Sequence, residues 1–308
     1  MSGIILSSSV RQNLLSLQST ADLLSTTQNR LATGKKVNTA LDNPTNFFTA
    51  QSLDNRASDI NNLLDGIGNG VQVLQAANTG ITSLQKLVDT AKSIANQVLQ
   101  SPTGYTTRST VSSAAALGGT AANLVDGATI KSGDTLAIAA SAGQPAFTFT
   151  FGASTSLAQL NTSLSASNLT ASLDSSNKLV ITTTNDAASS TIGAVTYTGT
   201  GTATFGAATA PVADAASQSA RAALVTQYNN TISQITTTAQ DSSFNGINLL
   251  SGDSLKLTFN ETGTSTLKIQ GVTFNASGLN LTKLTAGTDF IDNASANATL
   301  KTLNSASG

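Results

Sequence analysis

Few residues of this chain could do chemistry. Asp126, Asp134, Asp174 and Asp186 are the acidic residues one would try to pair for general acid and base work of the glycosidase kind. Each instead sits singly between small polar residues, as in Asp174-Ser175-Ser176-Asn177, where aspartate is a common turn former. The chain has no histidine and no cysteine. The missing imidazole removes the usual general base near neutral pH, the commonest metal ligand and every Ser/His/Asp arrangement. The missing thiol removes disulfides, thiolate nucleophiles and thiolate metal sites, and suits a protein that crosses compartments without redox help. With only carboxylate or lysine chemistry left, we expect no enzyme: no catalytic residue, no cofactor and no metal.

The elements that would have to position such groups point elsewhere. The 308 residues carry fifteen basic and sixteen acidic side chains for a net charge of -1, and only 10% are charged. No clustered Lys/Arg field exists to recruit nucleic acid or anionic lipid, so neither is an expected partner. Met1-Ser2-Gly3-Ile4-Ile5-Leu6 has no basic n-region, and its apolar run is too short for a secretory h-region. No run approaches the ~20 apolar residues that span a membrane.

Ser7-Ser8-Ser9 are good N-cap residues, and after them Val10, Leu14, Leu17, Ala21, Leu24, Gln28 and Leu31 step by four and three. This heptad seam keeps Arg11, Asp22 and Arg30 off its line, as a narrow stripe facing a partner helix would. An ordinary amphipathic surface helix is the plainer alternative. Gly34 and then Asp42-Asn43-Pro44 break the pattern, because proline disfavours helix at the residue before it.

A second, longer helix follows. Leu53, Ala57, Ile60, Leu64, Ile67, Val71, Leu74, Asn78 and Ile81 form one four-three row. Leu63, Gly70, Val73, Ala77, Gly80, Leu84, Leu87, Ala91, Ile94 and Val98 form a neighbouring one. Two rows make the stripe wider than a two-helix seam, so this helix should touch at least two others. Gly66, Gly68, Gly70 and Gly80 each cost up to about 1 kcal/mol in an exposed helix, and close helix approach is the expected compensation.

Ser101-Pro102-Thr103-Gly104 ends the helix, and short alternating runs occupy the stretch to about Pro211 as a separate β-rich module. Phe147, Phe149 and Phe151 alternate with small residues, Lys178 to Thr182 reads as another strand, and Leu157, Leu160 and Leu164 fit a short helix capped by Thr155 or Ser156. Helical spacing returns at Val225, Tyr228, Ile232, Ile235 and Ala239, so the module interrupts a helical domain. After the Asn245-Gly246 turn, Leu255, Leu257 and Phe259, then Leu267, Ile269, Val272 and Phe274, alternate as a hairpin with an extension across Glu261-Thr262-Gly263-Thr264. A last helix could begin near Ser295 and carry Ala298, Leu300 and Leu303. No repeat of 20 to 50 residues is apparent.

Taken in order, the heptad arm, Asn29-Arg30-Leu31-Ala32-Thr33-Gly34-Lys35-Lys36-Val37-Asn38, the Asp42-Asn43-Pro44 break and Gly70-Val71-Gln72-Val73-Leu74-Gln75 resemble bacterial flagellin, whose pattern here is "NRLssGkrinsa.Ddpa" followed by a long helix. Asp241-Ser242-Ser243-Phe244-Asn245-Gly246-Ile247-Asn248-Leu249-Leu250 is similar to the family's "t.FNG..LL" element. The resemblance is strong over residues 1–100 and 213–250 and weak in the insert, where residues 149–181 are similar to a short β-α-β element of some flagellins and cap proteins.

The resemblance implies an α+β fold of long coiled-coil-like helices. An inner arm would cover residues 1–44, a helical spoke with a β-hairpin residues 45–101 plus 212–308, and a β-rich variable outer domain residues 102–211. It implies a secreted structural subunit of the extracellular flagellar filament that polymerises with other flagellin subunits to support motility, and that leaves through the flagellar type III export apparatus. The expected assembly seam is Val10, Leu14, Leu17, Ala21, Leu24, Gln28 and Leu31 on the arm, with Gln28 as a polar register position. On the spoke it is Ile60, Leu64, Ile67, Val71 and Leu74, unless these are intramolecular core only.

Two departures stand out. A complete flagellin continues into a long descending helix and a C-terminal arm, which pairs with the N-terminal arm and carries the export-chaperone site. We expect this chain to be a truncated form without either, its N-terminal seam unpaired. Flagellins sensed by the animal flagellin-sensing Toll-like receptor resemble one another at "QRVRELAV". Aligned without gaps, the first arginine falls on Thr90 and the glutamate on Ser93, so receptor activation should be weak or absent. The alternatives are a hook-filament junction protein, which shares the arm and spoke plan, and a surface adhesive module built on the Ser/Thr-rich insert, whose hydroxyls could also carry O-linked sugars. The zinc peptidase that some flagellins carry needs an H-E-x-x-H motif, which a chain without histidine cannot supply.

Overall fold

The computed structural model describes residues 7–307. The Met1-to-Leu6 segment, read above for export signals, and Gly308 lie outside the described residues. The fold is α+β, with two N-terminal helices followed, among the described residues, by several small antiparallel sheets and three further α-helices. The described residues form two compact units, one of residues 7–72 with 256–269, the other of residues 73–255 with 270–307.

In the first unit, α1 (Ser8–Thr33) follows Ser7 in extended conformation and ends where Gly34 turns left-handed at φ 66°. Glycine pays no Cβ penalty there, which is why it ends helices so often. Its last turn carries Arg30, a cation at the negative end of the helix dipole. The loop to α2 (Pro44–Gln100) is closed by its own polar side chains. Thr33 Oγ1 donates to Asn29 O and Asn38 Oδ1, while Asp42 Oδ2 accepts from the amides of Asn38 and Thr39. Those amides hold the Asp42 carboxyl below its ordinary pKa, against the opposing effect of desolvation. Asn43 Oδ1 accepts from Asn46 N, and Pro44 occupies the first helical position, where its missing N–H costs nothing.

The second part of the first unit is the turn of a paired-strand element, β9 (Ser254–Thr258) with β10 (Thr266–Gln270). Leu257 lies over Gly70, where any Cβ would overlap its side chain, and Arg56 grips Glu261 through Nε at 3.1 Å and Nη2 at 3.3 Å.

In the second unit, α2 buries the row Val73, Ala77, Leu84, Val88, Ala91, Ile94 and Val98. Helix α4 (Ala215–Asp241) buries all five of the residues read above as its seam, and α5 (Asn293–Ala306) buries Ala296 and Leu303. Asp214 and Asp292 cap the two helices by accepting from Ser217 N and Ser295 N.

Between α2 and α4 the chain builds the insert. Two three-stranded antiparallel sheets form it, one of β2 (Thr110–Ser112), β6 (Leu179–Thr183) and β5 (Leu169–Leu173), the other of β4 (Phe147–Thr150), β3 (Thr135–Ile138) and β7 (Val195–Thr198). The alternation places Leu136, Ile138 and Phe147 of one sheet, with Phe151 just beyond it, and Leu169, Ala171, Leu179 and Ile181 of the other in one core with Leu160 and Leu164 of α3 (Leu157–Leu164). Ser156 caps α3 in a reciprocal capping box with Gln159, deciding between the two candidates. A two-stranded neck, β1 (Tyr105–Thr107) with β8 (Val212–Ala213), joins the insert to the helices.

Several expectations are corrected. Gly80 is crowded by Ser242 and Leu250, and Gly70 by Leu257, so turn and strand side chains, not helices, make the close approach. Among the described residues nothing lies within 4 Å of a Cβ at Gly66 or Gly68, so close packing there does not compensate those two. Val272 and Phe274 do not extend β10. Their amides donate to the carbonyls of Leu249 and Leu250, pairing the chain with the stretch after the Asn245-Gly246 turn. Ala298 is exposed, and Ala296 takes the buried position on α5.

Candidate assembly surface

Helix α1 has no buried residue. Twenty-six residues give it a length of about 39 Å. Along it Val10, Leu14, Leu17, Leu24 and Leu31 face solvent, Leu31 at 84% exposure, and Ala21 and Gln28 are exposed with them. Leu15 and Leu23, which the seam left out, are each 67–69% exposed. The signal for them was in the sequence: in the doublets Leu14-Leu15 and Leu23-Leu24 each lies about 100° round the helix from its seam neighbour, one on either side. Burying one such leucine is worth roughly 1.5–3 kcal/mol, so this face holds a large unrealised hydrophobic gain.

The two rows of α2 part company. Gly70, Val73, Ala77, Gly80, Leu84, Ala91, Ile94 and Val98 of one row are buried, and Leu63 and Leu87 are half-buried. Of the other row, Leu53, Ile60, Leu64 and Val71 are exposed in the first unit, and Leu74 and Ile81 are exposed in the second. Only Ile67 is half-buried, in a groove of about 410 Å³ that Ile60, Leu63, Leu64 and Phe259 also line. The purely intramolecular reading of these positions therefore fails for Ile60, Leu64, Val71 and Leu74. The physical reason is register. A row one position away on the helix turns by about 100°, and only one of two such rows can point into the core.

Three of the four aspartates considered for chemistry are engaged in turns. Asp126 accepts from the amides of Gly118, Ala128, Thr129 and Ile130. Burial pushes its carboxyl up, but the amides of Ala128, Ile130 and Gly118 and the Thr129 contact outweigh that and hold it at about 2. Asp134 accepts from the Tyr197 hydroxyl and from the amides of Lys131, Thr200 and Gly201, which together lower its pKa despite desolvation. Desolvation and Asp134 raise the Tyr197 phenol well above its ordinary value. Asp174 accepts from Ser176 N and Lys178 N. Asp126 and Asp134 thus each accept four hydrogen bonds, the acceptor capacity of a carboxylate.

The two family-like blocks are likewise turn machinery. Asn245 and Gly246 both have positive φ, 49° and 79°, closing the tight turn between Phe244 and Ile247. Two residues on, buried Asn248 donates from Nδ2 to the carbonyls of Ala239 and Gln240, the unpaired end of α4, and accepts from Leu250 N. Leu249 and Leu250 are buried beside it.

Residues 5–117 match the family described as the bacterial flagellin N-terminal helical region. Over this stretch the chain is similar to the flagellin family. The match takes in both N-terminal helices and the first strands beyond them. No curated protein matches the chain.

That match supports a general structural role in the flagellum. Among the described residues no three His, Cys, Asp or Glu side chains gather as a metal site, and no helix is long and apolar enough to cross a membrane. On α2, Thr90 and Ser93 are exposed, with Asp89, Lys92, Asn96 and Gln97 on the same polar stretch.

Proposed function

We propose that the chain is a subunit of the flagellar filament, exported through the flagellar type III apparatus and assembled outside the cell with other flagellin subunits. One observation carries this reading: α1 has no buried residue while it displays Val10, Leu14, Leu17, Ala21, Leu24, Gln28 and Leu31 along one seam. A solitary helix gains little from propensity alone, and its stability comes from packing an apolar face against a partner. The exposed row of α2, with Ile60, Leu64, Val71 and Leu74 and the partly covered Ile67, supplies a second face of the same kind. Repetition of one head-to-tail contact between such faces makes an open helical polymer. In this reading residues 1–44 form the inner arm, residues 45–101 with 212–308 the spoke, and residues 102–211 the outer domain.

The test is electron microscopy of the purified chain, alone and with the family's C-terminal helices appended, under polymerising conditions. Filaments in either preparation, lost when Leu17→Asp and Leu24→Asp are combined, support the reading. Filaments from neither would transfer the assignment to a hook-filament junction protein or an adhesive module.

A further inference from the structure

Arg221 of α4 is 2% exposed. Its Nε donates to Pro102 O at 2.8 Å, Nη1 to Phe290 O at 2.8 Å, and Nη2 reaches Val98 O, Ser101 O and Asn293 Oδ1, each at 3.2 Å. Three of these carbonyls belong to the last turn of α2 and the residues just past it, where a cation meets the negative end of a helix dipole. Phe290, fully buried and edge-on to Tyr228 at 5.9 Å, has φ 58°, a left-handed backbone that a bulky side chain rarely adopts. That strain persists only where surroundings fix it, and here the guanidinium bond to its carbonyl and the Tyr228 ring do so.

Two residues later Asp292 caps α5, and its other oxygen accepts from Ser189 Oγ of the insert at 2.7 Å. The short turn Asn185–Ala187 next to Ser189 packs against α5, and Ala187 and Ala188 are fully buried. Outside this contact the insert hangs on the β1–β8 neck, two short strands whose register shifts between Tyr105 and Thr107. A two-stranded ribbon of that length is marginal by itself and sets no fixed angle.

We propose that Arg221, the Phe290 turn, Asp292 and Ser189 form a latch that fixes the orientation of the insert on the helical base. Arg221 holds the end of α2 and the Phe290 strap together, the strap presents Asp292, and Asp292 holds Ser189. The insert is then a rigid extension of the helices and not a pendant on a flexible neck. Arg221 and Ser189 are positioning residues.

A chain without cysteine allows direct measurement. Spin labels on Ser93→Cys of α2 and Ser163→Cys of α3, both exposed, report the distance between base and insert. We expect a single narrow distance distribution in the parent. It should broaden at least twofold in Ser189→Ala and in Arg221→Lys, with helical circular dichroism unchanged in Ser189→Ala. If Arg221→Lys does not fold, Ser189→Ala decides alone. A distribution already broad in the parent, or one equally narrow in a folded Ser189→Ala, overturns the latch.

Discussion

Asn248 Nδ2 donates to Ala239 O at 2.8 Å, so a residue nine positions along the chain closes the end of α4. A second bond to Gln240 O, also 2.8 Å, makes one buried amide satisfy two orphan carbonyls. Replacement by alanine leaves the Ala239 carbonyl buried without a donor, a cost of roughly 1–3 kcal/mol at most, while the carbonyl of exposed Gln240 can turn to water. We expect Asn248→Ala to lower the thermal midpoint clearly and Asn248→Asp to do much the same, because a carboxylate donates nothing. A midpoint within error of the parent for both would show that water replaces the amide.

The four helix glycines separate into two pairs. Gly66→Ala and Gly68→Ala meet nothing within 4 Å in the subunit and should stabilise it by about 0.5–1 kcal/mol through better helix propensity. Gly80→Ala drives a methyl into Ser242 and Leu250 and should destabilise, while Gly70→Ala is milder because only the end of the Leu257 side chain must turn. Denaturant melts of the four variants order them. Filament loss in Gly66→Ala or Gly68→Ala with normal subunit stability would instead locate a close contact between subunits.

The insert should weaken in acid before the helices do. Asp126 has a folded pKa of about 2 against an ordinary 3.8. A depressed pKa contributes stability above the unfolded value and loses it as pH falls through the folded one, so the loss runs from about pH 4 down to about pH 2. Asp134 is shifted the same way by Tyr197 and three amides. The insert is well placed for separate study, since Thr110 N reaches Thr209 Oγ1 at 3.1 Å and Thr209 N reaches Thr110 O at 2.8 Å, and its core residues all lie within 111–203. Residues 108–210 alone should therefore unfold cooperatively, and Asp126→Ala should flatten the acid transition. An unchanged acid midpoint in that variant would assign the transition to other groups.

Thr90 and Ser93 are exposed, and under the ungapped alignment that the flagellin resemblance implies they would stand where receptor-activating flagellins have an arginine and a glutamate. A hydroxyl cannot make the bidentate, charge-assisted contact of a guanidinium. Purified protein should give little or no signal in reporter cells bearing the flagellin-sensing receptor, and Thr90→Arg with Ser93→Glu should raise it. Strong signalling by the parent would contradict the prediction.

The sequence by itself determined the helices, the breaks at Gly34 and Pro44, the insert's place and the absence of imidazole and thiol chemistry. All of these rest on local causes: four-three spacing, capping residues, residues that cannot continue a helix, and composition. Tertiary structure alone decided which of the two apolar rows of α2 is core, because spacing shows that both rows are apolar but not which one the rest of the chain reaches. It also decided that Val272 and Phe274 turn back to Leu249 and Leu250, since alternation carries no information about a strand's partner. Asn248 and Arg221 were out of reach for the same reason. The carbonyls they close are chain ends that become neighbours only when α2, α4 and the turn before α5 have packed, and a buried polar side chain is recognised by the partners it finds there.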